Sequence, residues 1–385
     1  MTGCFADIDL TPSDLELARR RAAAGSGYID LTSSNPTQQG LLFPPDILQA
    51  AAADYWTSRR YAPDPHGLPA ARTAITRYYA TRTPPLTLSD DAVFITASTS
   101  EAYSLLFALL ADPGDNLLAP NVTYPLFDYL AALRQVELRS YRLDEERGWQ
   151  IDGPSLLDQV DARTRAVLLV SPHNPTGAVV HAAVPELSRL GLPLICDEVF
   201  APFSYGAPTT PPIAALHPDL PVFTLNGISK LFALPDLKLG WIALNPPAHA
   251  AFADRLELLN DTFLGANSLT QTLLPHLFAQ GMAFVAAMAN RVRANLDLAL
   301  ARFAGCPNLT AQPPDGGYYL FPAVHGREDE DALVLDLLAR GVLVHPGYFY
   351  GDVPGIHIML SALTEPTRFA AGVERLVAAF AQDDR

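Results

Sequence analysis

The chain reads as an α/β protein: a large domain on a mainly parallel, seven-stranded sheet flanked by helices, followed by a smaller α+β domain. Three observations predict this. Seven short β-like runs, at 92–96, 116–119, 136–143, 166–170, 193–197, 221–225 and 240–244, follow one another through the middle of the chain. Helical patterns such as 100–110, 125–134 and 184–190 alternate with them, the order of a largely parallel sheet with helices on both faces. From about residue 283 the texture changes to one long helical stretch and a β- and turn-rich tail.

In chain order, 12–24 has helical spacing, and 31–45 is irregular and rich in Ser, Asn, Pro and Gly. Residues 1–45 are expected to pack with the small domain, 46–282 to form the large domain, and 283–385 the small one. Within the last, 283–303 reads as a helix, 309–361 as short strands and turns, and 365–381 as an amphipathic closing helix. The 34 prolines are dispersed, which suggests rigid loops rather than a linker.

Composition narrows the function classes. Of 385 residues 49% are apolar and 17% charged, enough for a large core and unlike a disordered chain. A formal charge of −15 disfavours nucleic acid and anionic membrane, both of which need a cationic surface. No apolar run reaches the ~18 residues of a membrane span. Cys4, Cys196 and Cys306 are too scattered for a disulfide framework or a metal pair, and the start shows no basic-then-apolar leader; a cytoplasmic protein is expected. His66, His173, His181 and the other histidines lack ligand spacing, so no metal site is expected.

The basic residues are more pointed. Among 26 of them only Lys230 and Lys238 are lysines, eight positions apart. Arg-rich composition can reflect coding bias alone. Yet a lysine amine can form a Schiff base with a carbonyl and a guanidinium cannot, so Lys230 is the first suspect for covalent chemistry.

Five motifs surround it, several at the expected carboxyl ends of strands, where open α/β sheets carry their sites. Ala97-Ser98-Thr99-Ser100-Glu101 runs from a strand into a helix, an N-cap that can also receive an anion. Tyr124-Pro125 follows the next strand, a pair more often concerned with packing. Ser171-Pro172-His173-Asn174-Pro175-Thr176-Gly177 makes a rigid turn that aims the Asn174 amide. Cys196-Asp197-Glu198 ends an apolar strand with a carboxylate that needs a partner if buried. Asn226-Gly227-Ile228-Ser229-Lys230 follows another strand, and Lys238 lies just beyond. Cys196, in its apolar strand, reads as buried and inert.

In this order, with Asn174, Asp197 and Lys230 spaced by 23 and 33 residues, the motifs resemble the fold-type-I pyridoxal-phosphate enzymes, and within them the class I/II aminotransferase family. The resemblance runs from Asn35-Pro36-Thr37 and Tyr61 through Gly67 to the closing helix. It implies the fold of that family, pyridoxal 5′-phosphate as cofactor, and transfer of an amino group from a donor to a keto acid in two half-reactions. Lys230 would hold the cofactor as an internal aldimine and shuttle the proton between Cα and C4′. Asp197 would pair with the pyridinium nitrogen, Asn174 would donate to the phenolic oxygen, and Tyr124 would stack on the ring. Ser98, Thr99, Ser100, Ser229 and Lys238 would hold the phosphate. Tyr61 would reach the phosphate of a neighbouring subunit, because the family completes its site across a homodimer.

Three departures from the family pattern carry expectations. Lys238 stands where Arg is usual, so a point charge replaces a bidentate fork. Phe200 stands where Asp-Glu-x-Tyr is usual; losing that hydroxyl predicts a higher pKa for the internal aldimine than in relatives with Tyr. Met359 falls where an Arg normally clamps the donor's α-carboxylate, a loss of about 2–5 kcal/mol for such a donor. Either Asn174, backbone N–H groups near Ser33–Asn35, His345 or His357 replaces it, or the donor has no carboxylate there. Lyases and decarboxylases share the scaffold and are separated by release of ammonia or CO₂. A non-catalytic effector-binding module is the remaining alternative; its regulatory relatives carry a DNA-binding domain ahead of the fold, for which no room is expected before Asn35. The aromatic residues Tyr318, Tyr319, Tyr348 and Phe349 fit a pocket entrance or the small-domain core.

Overall fold

The computed structural model describes residue 5, residues 8–206 and residues 209–383; Cys4 lies outside them. At its centre is a sheet of β1 (Val93–Thr96), β2 (Asn116–Pro120), β3 (Glu137–Tyr141), β4 (Thr164–Val170), β5 (Leu194–Asp197), β6 (Val222–Gly227) and β7 (Gly240–Leu244). The order across it is β1-β7-β6-β5-β4-β2-β3. Strands β2 to β6 pair in parallel, and β7 runs antiparallel to both β1 and β6. Each of the seven sequence-predicted runs supplies one strand of this sheet.

Alternation along the strands explains why the sheet is covered on both faces. Phe94, Leu168, Ile195, Phe223 and Ile242 enter one core; Ile95, Leu169, Cys196, Val222 and Trp241 enter the other. A strand buried on both sides reads as one continuous apolar run, whereas β3 at the edge keeps exposed and half-buried positions. The run at 136–143 is shorter than expected. The chain leaves the sheet after Tyr141, and Leu143–Asp144 pairs with Gln150–Ile151 as a separate hairpin. Gly148 and Trp149, at φ 74° and 60°, take the left-handed conformations that turn it.

Helices Thr99–Leu110, Leu126–Arg134 and Pro185–Leu190 match the predicted patterns. Helices Pro45–Ser58, Pro69–Ala80 and Pro246–Thr262 were unassigned by periodicity, yet each starts with Pro in its first turn, where the missing N–H has no intrahelical partner to lose. Met282–Phe303 then leads to the strands Leu309–Thr310, Tyr319–Leu320, Ala323–Val324, His345–Pro346 and Ile356–Ser361, and to the closing helix Pro366–Asp383. Ile29–Asp30 pairs in parallel with Val342–Leu343, and the Ser361 N–H donates to the Leu31 carbonyl at 2.6 Å, so the first strand of the chain is held by the last hundred residues. No single helix among the described residues is long and apolar enough to cross a membrane.

Candidate active site

The carboxyl ends of β4, β5 and β6 open onto one cavity of about 280 Å³. Every predicted site residue but one lines it: Ser98, Thr99, Ser100, Tyr124, Asn174, Asp197, Ser229, Lys230 and Lys238. The exception is Tyr61, which is 83% exposed and stands apart from the lining.

The anion end is built by a helix start. Ser98 caps helix Thr99–Leu110, its Oγ accepting from the Glu101 N–H at 3.1 Å, while Glu101 Oε2 accepts in return from the Ala97 N–H. This cap leaves the first-turn N–H groups of Thr99 and Ser100 free of intrahelical partners at the cavity wall. β7 crosses directly behind. A Cβ at Gly240 would lie 2.9 Å from the Thr99 nitrogen, and one at Gly227 2.8 Å from the Leu239 carbonyl oxygen, so only glycine permits so close an approach. Lys238 reaches the same end from a left-handed turn at φ 48°.

Asp197, the last residue of β5, also lines the cavity. Its Oδ1 accepts from the Val199 N–H at 3.0 Å and its Oδ2 from the Tyr103 hydroxyl at 2.7 Å. Burial nonetheless dominates and pushes the carboxyl up to about 6, against its ordinary 3.8. Tyr103 was missed from sequence. A tyrosine one helical turn after a cap looks like core, and nothing local shows that its hydroxyl meets a strand ninety-four residues on.

The remaining groups line the same cavity. Asn174 follows β4 in a turn closed by hydrogen bonds from the Gly177 N–H to the His173 carbonyl and from the His173 N–H to the Ala178 carbonyl, both 2.8 Å. Gly177 has φ +74°, and a Cβ there would meet Pro314 at 2.3 Å. Asn174 is buried, and its Oδ1 has no hydrogen-bond partner among the described residues. His173 is held neutral by burial, its pKa lowered to about 4. Lys230 sits on the single turn Ile228–Leu231 after β6, its Nζ 5.8 Å from the centroid of the Tyr318 ring. Phe200 and Tyr319 complete the wall, their ring centroids 5.7 Å apart, and Tyr124 closes it from the loop after β2. One cavity therefore gathers helix-start N–H groups, a buried carboxylate, an amide and a lysine amine.

The three departures resolve differently. Phe200 and Lys238 both line the cavity. Met359 does not: it lies on strand Ile356–Ser361 opposite His345, is 1% exposed, and belongs to the core. His345 and His357 also lie outside the lining; His345 Nδ1 is 3.0 Å from the Tyr350 hydroxyl and His357 Nε2 is 3.1 Å from Glu145 Oε1. Of the proposed carboxylate partners, only Asn174 and the 33–35 segment, through Ser34, reach the cavity.

The Asp197 carboxyl yields a stability prediction. Its folded value exceeds the unfolded one, so the folded protein without cofactor binds the extra proton between pH 3.8 and about 6, and this group destabilises it increasingly as pH rises through that window. Asp197→Asn is expected to stabilise the cofactor-free protein by up to about 3 kcal/mol at pH 8 and by roughly a third of that at pH 4.5. Urea unfolding of both proteins at the two pH values measures it; a loss at pH 8, or a gain independent of pH, contradicts it.

The aminotransferase class I and II family pattern matches residues 26–376. The alanine aminotransferase of Mycobacterium tuberculosis (strain CDC 1551 / Oshkosh) is 29% identical over 373 residues, covering 93% of this chain and 87% of that protein. The glutamate-pyruvate aminotransferase AlaA of Escherichia coli (strain K12) is 27% identical over 393 residues, 96% of each. Among solved structures, alanine aminotransferase from Pyrococcus furiosus superposes with a TM-score of 0.90 at 23% identity, covering 99% of this chain and 100% of that one, a likeness of fold.

Proposed function

The chain belongs to the aminotransferase class I and II family, whose members use pyridoxal 5′-phosphate, and from this premise we propose that the cavity is its transamination site, with Lys230 as the residue that holds the cofactor. The observation that carries the reading is convergence. Lys230, Asp197, Asn174 and the open start of helix Thr99–Leu110 come from separate strand ends and meet in one cavity.

Bound pyridoxal phosphate supplies an electron-withdrawing cationic ring, and the chain supplies the rest. Asp197 holds the ring nitrogen protonated, because a buried carboxylate and a cation each remove the other's desolvation penalty. Asn174 donates its amide hydrogen to the ring oxygen, and Tyr124 covers the ring face. The N–H groups of Thr99 and Ser100, the hydroxyls of Ser98 and Ser229, and Lys238 take the phosphate. Lys230 Nζ would take the proton from the donor's amine-bearing carbon and deliver it to the cofactor's C4′ within the same half-reaction, and the second half-reaction would run the same transfer in reverse. Residues 46–282 form the cofactor-binding unit, and residues 283–385 with the first 45 form the smaller one.

A homodimer, with Tyr61 reaching the phosphate site of the partner, is supported by exposed apolar side chains at Trp56, Leu258 and Leu264. Free thiols at buried Cys196 and Cys306 fit a reducing cytoplasm.

The partners are a small amino donor and a keto acceptor. Relatives are named for alanine, glutamate and pyruvate. Here the described cavity holds only two cations, Lys230 and Lys238, and both are assigned to the cofactor. Within this chain's own lining a donor carboxylate then meets the uncharged groups of Ser34 and Asn174, without the about 2–5 kcal/mol preference that a guanidinium gives. Amines lacking an α-carboxylate are therefore expected to discharge the visible band of the holoenzyme within about tenfold of the rate of matched amino acids. Stopped-flow absorbance with no keto acceptor present tests this. Discharge by amino acids alone, at least about a hundredfold faster, overturns the carboxylate-indifferent pocket. No discharge by any donor overturns the site.

A further inference from the structure

We propose that Tyr103 is a positioning residue for the ring-nitrogen carboxylate, and that helix Thr99–Leu110 is the rigid spacer linking that carboxylate to the phosphate site. The inference rests on the cofactor reading above and adds to it a residue and a coupling.

The geometry is specific. Tyr103 is 2% exposed, lines the cavity, and donates its only hydroxyl hydrogen to Asp197 Oδ2 at 2.7 Å. Its ring is fixed by Phe127 and Phe107, with centroids 4.8 and 6.0 Å away. The hydroxyl stays protonated, because burial and the neighbouring Asp197 carboxylate both raise its pKa well above the ordinary value of 10.0. It therefore acts only as a donor to Asp197. The Val199 N–H occupies the other oxygen, so the carboxylate is held from two directions and cannot rotate without losing a bond. Glu198 and Cys196 beside it, and Lys230 from the turn after β6, are the other titratable groups around it.

Tyr103 lies one helical turn beyond Thr99, which lines the cavity and opens the helix with an N–H that has no intrahelical partner. One helix thus carries the anion site on its first residues and the carboxylate's clamp on the next turn. The distance between phosphate and ring-nitrogen partner is set by helix geometry rather than by two loops. In this chain the clamp is a residue that neither core packing nor the helix cap requires to bear a hydroxyl.

The test uses the full-length protein stripped of cofactor and two ligands: pyridoxal phosphate, and its 1-deaza analogue, whose ring nitrogen is replaced by CH. Wild type is expected to prefer pyridoxal phosphate. Tyr103→Phe keeps the ring and its packing, and is expected to weaken pyridoxal phosphate about tenfold, as for a lost bond to a charged group. It should weaken the analogue less than about twofold, because the analogue has no nitrogen for Asp197 to meet. Equal loss for both ligands would indicate a structural role and overturn the proposal. So would wild-type preference surviving unchanged in Tyr103→Phe. Wild type that binds both ligands equally removes the pairing at Asp197 itself, and the proposal falls with it. Analogue binding by the variant serves as the check on folding.

Discussion

Lys230→Arg is expected to lower the transamination rate by at least about 10³-fold, while the protein remains folded and still binds pyridoxal phosphate noncovalently. Arginine preserves the positive charge and much of the length of the side chain, so the cavity's electrostatics change little. What disappears is an amine that can lose its proton. A guanidinium stays protonated throughout the working pH range, so it can neither attack the cofactor aldehyde nor carry a proton to and from the substrate carbon. Lys238 is the internal control. It lines the same cavity eight residues away, but it is assigned to the phosphate. Lys238→Arg puts the family's usual residue there and keeps a phosphate donor, so it is expected to leave cofactor binding, the visible band and the chemistry in place. Steady-state rates and cofactor spectra of the two variants separate the roles; a Lys230→Arg protein with wild-type turnover would falsify the assignment.

The second large effect concerns an ion pair beside the site. Arg82 Nη1 donates to Glu198 Oε2 at 3.1 Å, with side-chain exposures of 10% and 0%. Arg82 also donates to the Thr210 carbonyl at 3.0 Å, and Glu198 Oε1 accepts from the Ile213 N–H at 3.0 Å. Burial pushes the Glu198 carboxyl up, with Arg82 pulling the other way. Glu198 follows Asp197 directly, and its backbone carbonyl accepts from the Asn226 amide at 3.0 Å, which ties β5 to β6 just before Lys230. Arg82→Met leaves this carboxylate fully buried with one N–H for company, and is expected to cost about 3–5 kcal/mol of stability at pH 8. With its cation gone, Glu198 rises further above its unfolded pKa and takes up a proton in the folded protein, so the loss is smaller at pH 5.5 than at pH 8. Denaturant unfolding at the two pH values, at one protein concentration, checks both size and sign. A loss below about 1 kcal/mol would mean that Glu198 reaches water or another cation.

What the sequence disclosed and what it hid follow from the range of each signal. Central strands such as Thr164–Val170 are apolar on both faces, so they stand out within a seven-residue window. Asp197 and Asn174 stood out by the order and spacing of the motifs that carry the family resemblance, and both line the cavity. Lys230 stood out because lysine is otherwise almost missing from this chain. The pairings of Tyr103 with Asp197, Arg82 with Glu198, and Ile29–Asp30 with Val342–Leu343 join residues far apart in sequence, and no local pattern encodes them. Met359 shows the limit from the other side. Its strand was placed correctly, yet its side chain enters the core rather than the cavity, a choice that depends on what packs against each face of strand Ile356–Ser361.

The most direct test of the central claim uses the scarcity of lysine. The holoenzyme is reduced with borohydride, which fixes the cofactor to the amine that holds it, and the digested protein is mapped by mass spectrometry. Only Lys230, Lys238 and the chain's own terminus can carry the label. Modification confined to the peptide containing Lys230 is the predicted result, whereas label on Lys238, on the amino terminus, or nowhere contradicts the account.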